Sequence, residues 1–184
     1  MSEFLNLKNW FNVNRKYFSI VLNGFPDPPV LSYLSLLPLI DSSGLILDIG
    51  SGNGMLLKFI LDFSNHNIIP YGIDKNEIAI NKAKRDILPQ YSSNFIVAEM
   101  DEYIPFKQKF NIIICNPFYS KYGFDSVISR LLGILNKSGK IIVKVHDDVL
   151  QKKNIRSLDE EWSNFQIPIK YSRGADVTFG IISG

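Results

Sequence analysis

Gly50, Gly52 and Gly54 stand at alternate positions directly after the run Leu45-Ile46-Leu47-Asp48-Ile49. Glycines at that spacing let the chain turn sharply and bring its backbone against a ligand. The helix that must open near Met55 offers free N–H groups and a positive dipole end, suited to a carboxylate or phosphate. Asp74 lies twenty positions beyond Gly54 and closes a second apolar run, Ile68-Ile69-Pro70-Tyr71-Gly72-Ile73. Such a unit places a carboxylate there for ribose hydroxyls. A third position of interest is Asn116-Pro117-Phe118-Tyr119, which follows the apolar run Asn111–Cys115. A continuous apolar run reads as a central parallel strand buried on both faces, and open α/β sheets bind ligands at the carboxyl ends of their strands.

These residues need a parallel sheet to hold them. Strand-like runs at 45–49, 68–73, 93–98, 110–115, 140–146, 165–171 and 176–183 alternate with helix-length segments near 53–64, 76–87, 123–136 and 157–164. The pattern predicts an α/β fold: a doubly wound, seven-stranded, mostly parallel sheet. Only Ser172-Arg173-Gly174-Ala175 separates the last two strands, so they form an antiparallel hairpin at the C-terminal end. Phe4, Leu7, Trp10, Phe11, Phe18, Val21 and Leu22 recur at roughly helical spacing, which predicts an amphipathic first helix. Gly24-Phe25-Pro26-Asp27-Pro28-Pro29 breaks it, and a second helix is expected from Val30 to Ile40. The expected organisation is one domain over 1–184, with a helical segment at 1–43 and a cofactor-binding core at 44–184.

With 184 residues, 46% of them hydrophobic, the chain can bury one good-sized core. No apolar run approaches a membrane span and the N-terminus lacks a signal pattern, so a cytoplasmic protein with no membrane partner is expected. Cys115 is the single cysteine, which excludes an intramolecular disulfide or a cysteine metal cluster; no metal site is expected. The formal net charge is only +2, but between Tyr103 and Arg156 ten basic residues face three acidic ones. That imbalance suits a nucleic-acid partner. Topology would nevertheless put Lys109, Lys137 and Lys140 at strand beginnings, away from the ligand edge, leaving Lys121, Lys152, Lys153 and Arg156 beside it.

Met55 stands where a dinucleotide-binding G-x-G-x-x-G would need glycine. The pattern D-x-G-x-G-x-G from Asp48 to Gly54, with Asp74 ending the second strand, instead resembles the class I, Rossmann-like S-adenosylmethionine-dependent methyltransferases. The resemblance runs from about Leu45 to Gly184. It implies S-adenosyl-L-methionine as cofactor, with Gly50, Gly52 and Gly54, and Ser51 and Asn53 in the same loop, around its methionine part. Asp48 would hold the loop and the methionine amino group, and Asp74, followed by Lys75, the ribose hydroxyls. Met100 would touch the adenine face and Asp101 would accept from the adenine amino group, with Glu99 next in order. Asn116 would also border the cofactor.

A strand followed by N-P-x-aromatic resembles the Asn/Asp-Pro-Pro-Tyr/Phe signature of methyltransferases acting on exocyclic amino groups of bases or on glutamine amides. Such a nitrogen has its lone pair delocalised. Hydrogen bonds donated by its N–H groups to the Asn116 side-chain oxygen and the Pro117 carbonyl would draw it toward a nucleophilic geometry, with no strong base. Proline fixes φ and so holds that carbonyl in place, while Tyr119 can stack on a planar acceptor. Phe118 replaces the second proline of the signature. The resemblance thus implies methylation of an amino or amide nitrogen in nucleic acid, RNA before others, or in protein. A second resemblance links Lys144 to the catalytic lysine of RNA ribose 2′-O-methyltransferases, with Asp176 near their glutamate, although Asn116 replaces the aspartate of that tetrad. A third reading is a non-catalytic scaffold that relies on a partner subunit for target recognition.

Overall fold

The computed structural model describes residues 2–18, 30–100, 104–115, 123–146, 170–173 and 177–184. The chain opens with helices α1 (Ser2–Phe18) and α2 (Val30–Leu36), the latter running into a 3₁₀ turn at Leu37–Leu39. Strand β1 (Gly44–Ile49), helix α3 (Met55–Phe63), strand β2 (Ile68–Asp74), helix α4 (Glu77–Lys82) and strand β3 (Phe95–Val97) follow. Beyond them come β4 (Phe110–Cys115), α5 (Phe124–Leu132), β5 (Leu135–His146), β6 (Lys170–Arg173) and β7 (Val177–Ser183).

The described strands form one sheet in the order β3-β2-β1-β4-β5-β7-β6. β1 runs parallel to both β2 and β4, so the order reverses beside it and a crevice opens at the carboxyl ends of β1 and β4. Strand β7 is antiparallel to its neighbours β5 and β6. This is an α/β Rossmann-like sheet, mostly parallel, with an antiparallel C-terminal strand.

Side chains alternate across the sheet and fill two cores. Ile46, Ile112, Ile114, Ile142 and Phe179 point to one face and pack with Tyr33, Leu36, Leu57, Phe59 and Ile60 from α2 and α3. Leu47, Ile113, Cys115, Ile141 and Val143 point to the other and meet Val127, Ile128 and Leu131 of α5. Trp10 of α1 meets Phe59 edge-to-face and Phe11 lies tilted against the same ring, with ring centroids 5.3 and 5.8 Å apart, and the Trp10 indole N–H donates to Asp62 at 2.6 Å. The first helix therefore packs on the sheet-covering helix α3. Among the described residues no helix is long and apolar enough to cross a membrane.

Several boundaries differ from the sequence reading. β5 begins at Leu135 rather than 140, because Leu135 pairs with Phe110 while Lys140 pairs with Ile112, leaving the intervening residues as a bulge. α5 stops at Leu132, where Lys109 Nζ donates to the Gly133 carbonyl. β3 is shorter than expected because Pro89–Asn94 winds into 3₁₀ turns, and α4 passes into a π-helical turn at Ala83–Ile87. β6 extends to Arg173, inside the stretch read as a turn. The expected helix at 157–164 and the strand residues 165–169 lie outside the described residues.

Candidate cofactor and acceptor site

The glycine loop is anchored at its entry by the end of β2: the Gly50 and Ser51 N–H groups both donate to the Ile73 carbonyl, at 2.8 and 2.9 Å. Gly50, Gly52 and Gly54 have φ of 81°, 54° and 79°, a region that side-chain-bearing residues rarely occupy. A Cβ on Gly50 would meet nothing within 4 Å. The loop thus presents bare backbone to open space, a cradle that suits a cofactor lying against it. Behind the loop the packing is tight. A Cβ on Gly72 would stand 2.6 Å from Ser51 Oγ and 2.6 Å from the ring of Phe95, which also lies 3.2 Å from the corresponding point on Gly54. Gly72 escaped the sequence reading as a supporting residue, although a glycine inside a strand is itself a sign of close backbone approach.

Asp74 closes β2 at the mouth of this cradle. One carboxylate oxygen accepts from Gly52 N–H and the other from Asn76 N–H, each at 2.8 Å, which fixes the group in position. A carboxylate has about four lone-pair sites, so capacity for ligand hydroxyls remains. Lys75 and Glu99, both exposed, pair at 3.6 Å across the ends of β2 and β3, and Met100 packs half-buried on the α5-side core. Asp101 and the whole Asn116-Pro117-Phe118-Tyr119 motif lie outside the described residues, as do Lys121, Lys152, Lys153, Arg156 and Asp176. Of the lysines expected at the far edge, Lys140 pairs with Asp41 at 2.7 Å.

Two loop residues turn inward. Asn53 is buried, and its side-chain N–H donates to the Tyr17 carbonyl at 2.8 Å while its side-chain oxygen accepts from Met55 N–H at 3.4 Å. It ties the last turn of α1 to the cofactor loop. The Tyr17 ring sits near the ammonium groups of Lys16 and Lys82, 4.9 and 5.3 Å from its centroid. Ser51 is also buried, and its hydroxyl makes no hydrogen bond.

Asp48, one residue before the end of β1, lies on the α2 side of the sheet and is 5% exposed. Burial pushes its carboxyl up, the Lys144 cation pulls it back and the Asp74 charge pushes it up again, leaving it at about 7. The phenol of Tyr33 and the thiol of Cys115 are both driven upward by burial first and by Asp48 second. Lys144 Nζ lies 5.9 Å from the Tyr33 ring centroid. The sequence assigns Asp48 and Lys144 to separate roles; the fold sets them within electrostatic reach of each other. Tyr33 was missed, since nothing in the spacing of α2 marks it apart from core.

The sequence profile of the methyltransferase domain matches residues 40–176. The chain belongs to this methyltransferase domain family. A curated relative, the release factor glutamine methyltransferase of Buchnera aphidicola subsp. Acyrthosiphon pisum, is 36% identical over 95 residues, 51% of this chain. The chain spans about a third of that relative's length, the match covering 34% of it. A solved structure from Staphylococcus aureus, provisionally assigned as a caffeoyl-CoA O-methyltransferase, superposes with a TM-score of 0.66 at 19% identity, covering 98% of this chain and all of the other. A SAM-dependent methyltransferase from Geobacter sulfurreducens, solved with S-adenosyl-L-homocysteine, superposes at 0.51 with 22% identity over 71% of this chain and 55% of its own. The cofactor is S-adenosylmethionine, and the open cradle at Gly50 beside fixed Asp74 and buried Asp48 fits it.

Proposed function

We propose that the chain transfers a methyl group from S-adenosylmethionine to an amino or amide nitrogen of a macromolecule. The observation that carries this reading is the sequence Asn116-Pro117-Phe118-Tyr119, which follows the central strand β4 next to the β1 cradle. When bound, the cofactor supplies an electrophilic methyl on a sulfonium sulfur, which leaves as the neutral thioether. The residues of this chain do the rest. Gly50, Gly52 and Gly54 receive the methionine part against bare backbone, Asp48 offers its carboxylate to the ammonium, and Asp74 accepts from the ribose hydroxyls. Lys75, Met100 and Asp101 border the adenine end. Asn116 and Pro117 accept the N–H groups of the acceptor and Tyr119 stacks on its plane, so the nitrogen lone pair forms the new N–C bond and the proton is released to water. Proximity and orientation are the main catalytic contributions.

The similarity to a release factor glutamine methyltransferase supports a protein side-chain amide as acceptor, and the basic residues between Tyr103 and Arg156 support RNA. Both acceptors share the planar N–H geometry. The test is transfer of an isotopically labelled methyl group to a glutamine-bearing protein and to RNA, followed by mass assignment of the modified atom. Asn116→Ala should lower turnover at least a hundredfold while S-adenosylhomocysteine affinity stays within about twofold. Unchanged turnover would overturn the assignment, and methylation of a ribose oxygen lost in Lys144→Ala would favour the 2′-O reading.

A further inference from the structure

Lys144 sits on β5 one residue beyond Val143, which pairs with Cys115 at the last described level of β4. It lies directly across from Phe179 of β7, and that residue belongs to the core on the α2 side. Asp48 faces the same side: it pairs with Ile114, which pairs in turn with Ile142, two residues before Lys144. Lys144 is thus aimed at the buried end of β1, with the Tyr33 ring 5.9 Å from its nitrogen. The groups around the Asp48 carboxyl, element by element among the described residues, are Lys144 from β5, Asp74 from β2, Tyr33 from α2 and Cys115 from β4. Lys144 is the cation of that set.

A carboxylate deep in an apolar wall, with a second carboxylate near it, favours its neutral form. Neutral Asp48 offers no charge to an ammonium ligand. We propose that Lys144 is a positioning residue that acts through Asp48: its cation favours the ionised form of the buried carboxylate, so that the site presents negative charge to the cofactor's ammonium group. The inference rests on the cofactor site proposed above and is independent of the acceptor. It also separates Lys144 from a catalytic lysine, which would govern turnover and leave cofactor affinity alone.

The test is calorimetric binding of S-adenosylhomocysteine between pH 6 and 8.5. In Lys144→Met the affinity at pH 7 should fall about fivefold, since moving the carboxyl midpoint up by about one pH unit from about 7 cuts the ionised fraction at that pH from about one half to about one eleventh. The gap to wild type should narrow steadily toward pH 8.5, and Lys144→Arg should restore the wild-type profile. In an Asp48→Asn background, Lys144→Met should no longer weaken binding, as expected of two residues acting on one ligand group. A deficit that is constant with pH, or that persists in the Asp48→Asn background, would overturn the proposal. If Lys144→Met does not fold, a Lys144→Arg profile whose midpoint departs from wild type serves as the refutation, and an unchanged one supports the charge role. A wild type that binds no S-adenosylhomocysteine at any pH would instead overturn the cofactor site itself.

Discussion

Replacing Gly72 by alanine adds one carbon where the structure has no room for it. The new Cβ would stand 2.6 Å from Ser51 Oγ and 2.6 and 2.7 Å from two ring carbons of Phe95. The serine hydroxyl can rotate away. Phe95 cannot, because it is fully buried and its ring also carries the underside of Gly54. The backbone of β2 must therefore move off the loop, and overpacking of this kind costs about 1–3 kcal/mol. For a domain of this size 1 kcal/mol corresponds to about 2–4 °C, so a cost near 2 kcal/mol lowers the melting temperature by about 4–8 °C. The same shift pulls Ile73, whose carbonyl receives Gly50 and Ser51, so affinity for S-adenosylhomocysteine should fall as well. Differential scanning calorimetry with and without ligand reads both effects, and Phe95→Leu in the same chain should recover part of each. A Gly72→Ala protein that melts within about 1 °C of wild type and binds as tightly would refute the view that the strand is hollowed to seat the loop.

Asp48→Asn should trade binding for stability. A carboxyl raised to about 7 in the folded chain, against 3.8 for its ordinary value, binds more protons folded than unfolded between those pH values. Stability of the ligand-free protein therefore declines as pH climbs from about 4 to about 7, by at most about 4 kcal/mol. Removing the charge should stabilise the protein above pH 7 by about 1–2 kcal/mol, less than the limit because Lys144 loses its counter-charge. Urea unfolding at pH 5 and 8 checks the sign, and equal effects at both would reject it. Asn53→Ala removes both the bond to the Tyr17 carbonyl and the contact with Met55 N–H, a loss of about 1 kcal/mol or more. Hydrogen exchange over residues 10–18 should quicken in that variant, and unaltered protection would show that α1 is held by Trp10 and Phe11 alone.

The parts of the fold that rest on periodicity were legible in the chain. Leu45–Leu47 and Ile112–Cys115 are apolar without interruption because both faces of the central strands are covered, and each lies in a strand where expected. The glycine loop was legible because alternate glycines before an apolar helix have few other uses. What could not be read depended on partners distant in sequence. The start of β5 at Leu135 follows from pairing with Phe110, whereas local spacing leads to the expectation of a helix running to 136 and a strand only from 140. Asn53 looked like a ligand-facing loop residue; its amide turns inward because the end of α1, 36 positions away, supplies a carbonyl. The relation of Asp48 to Lys144 likewise exists only once β4 lies between β1 and β5.

Cys115, at the end of the central strand, gives the molecule a built-in chronometer. The residue is 2% exposed, and both burial and the nearby Asp48 disfavour the thiolate that reacts with thiol reagents. An aromatic disulfide reagent can therefore modify the chain only during excursions that part β4 from its neighbours. The chain has one cysteine, so a single absorbance trace counts those excursions with no background from other sites. Cofactor should slow the trace by the factor 1 + [L]/Kd as it draws molecules into the closed state. Cofactor binding can thus be followed by colour alone, with no methyl acceptor in the assay.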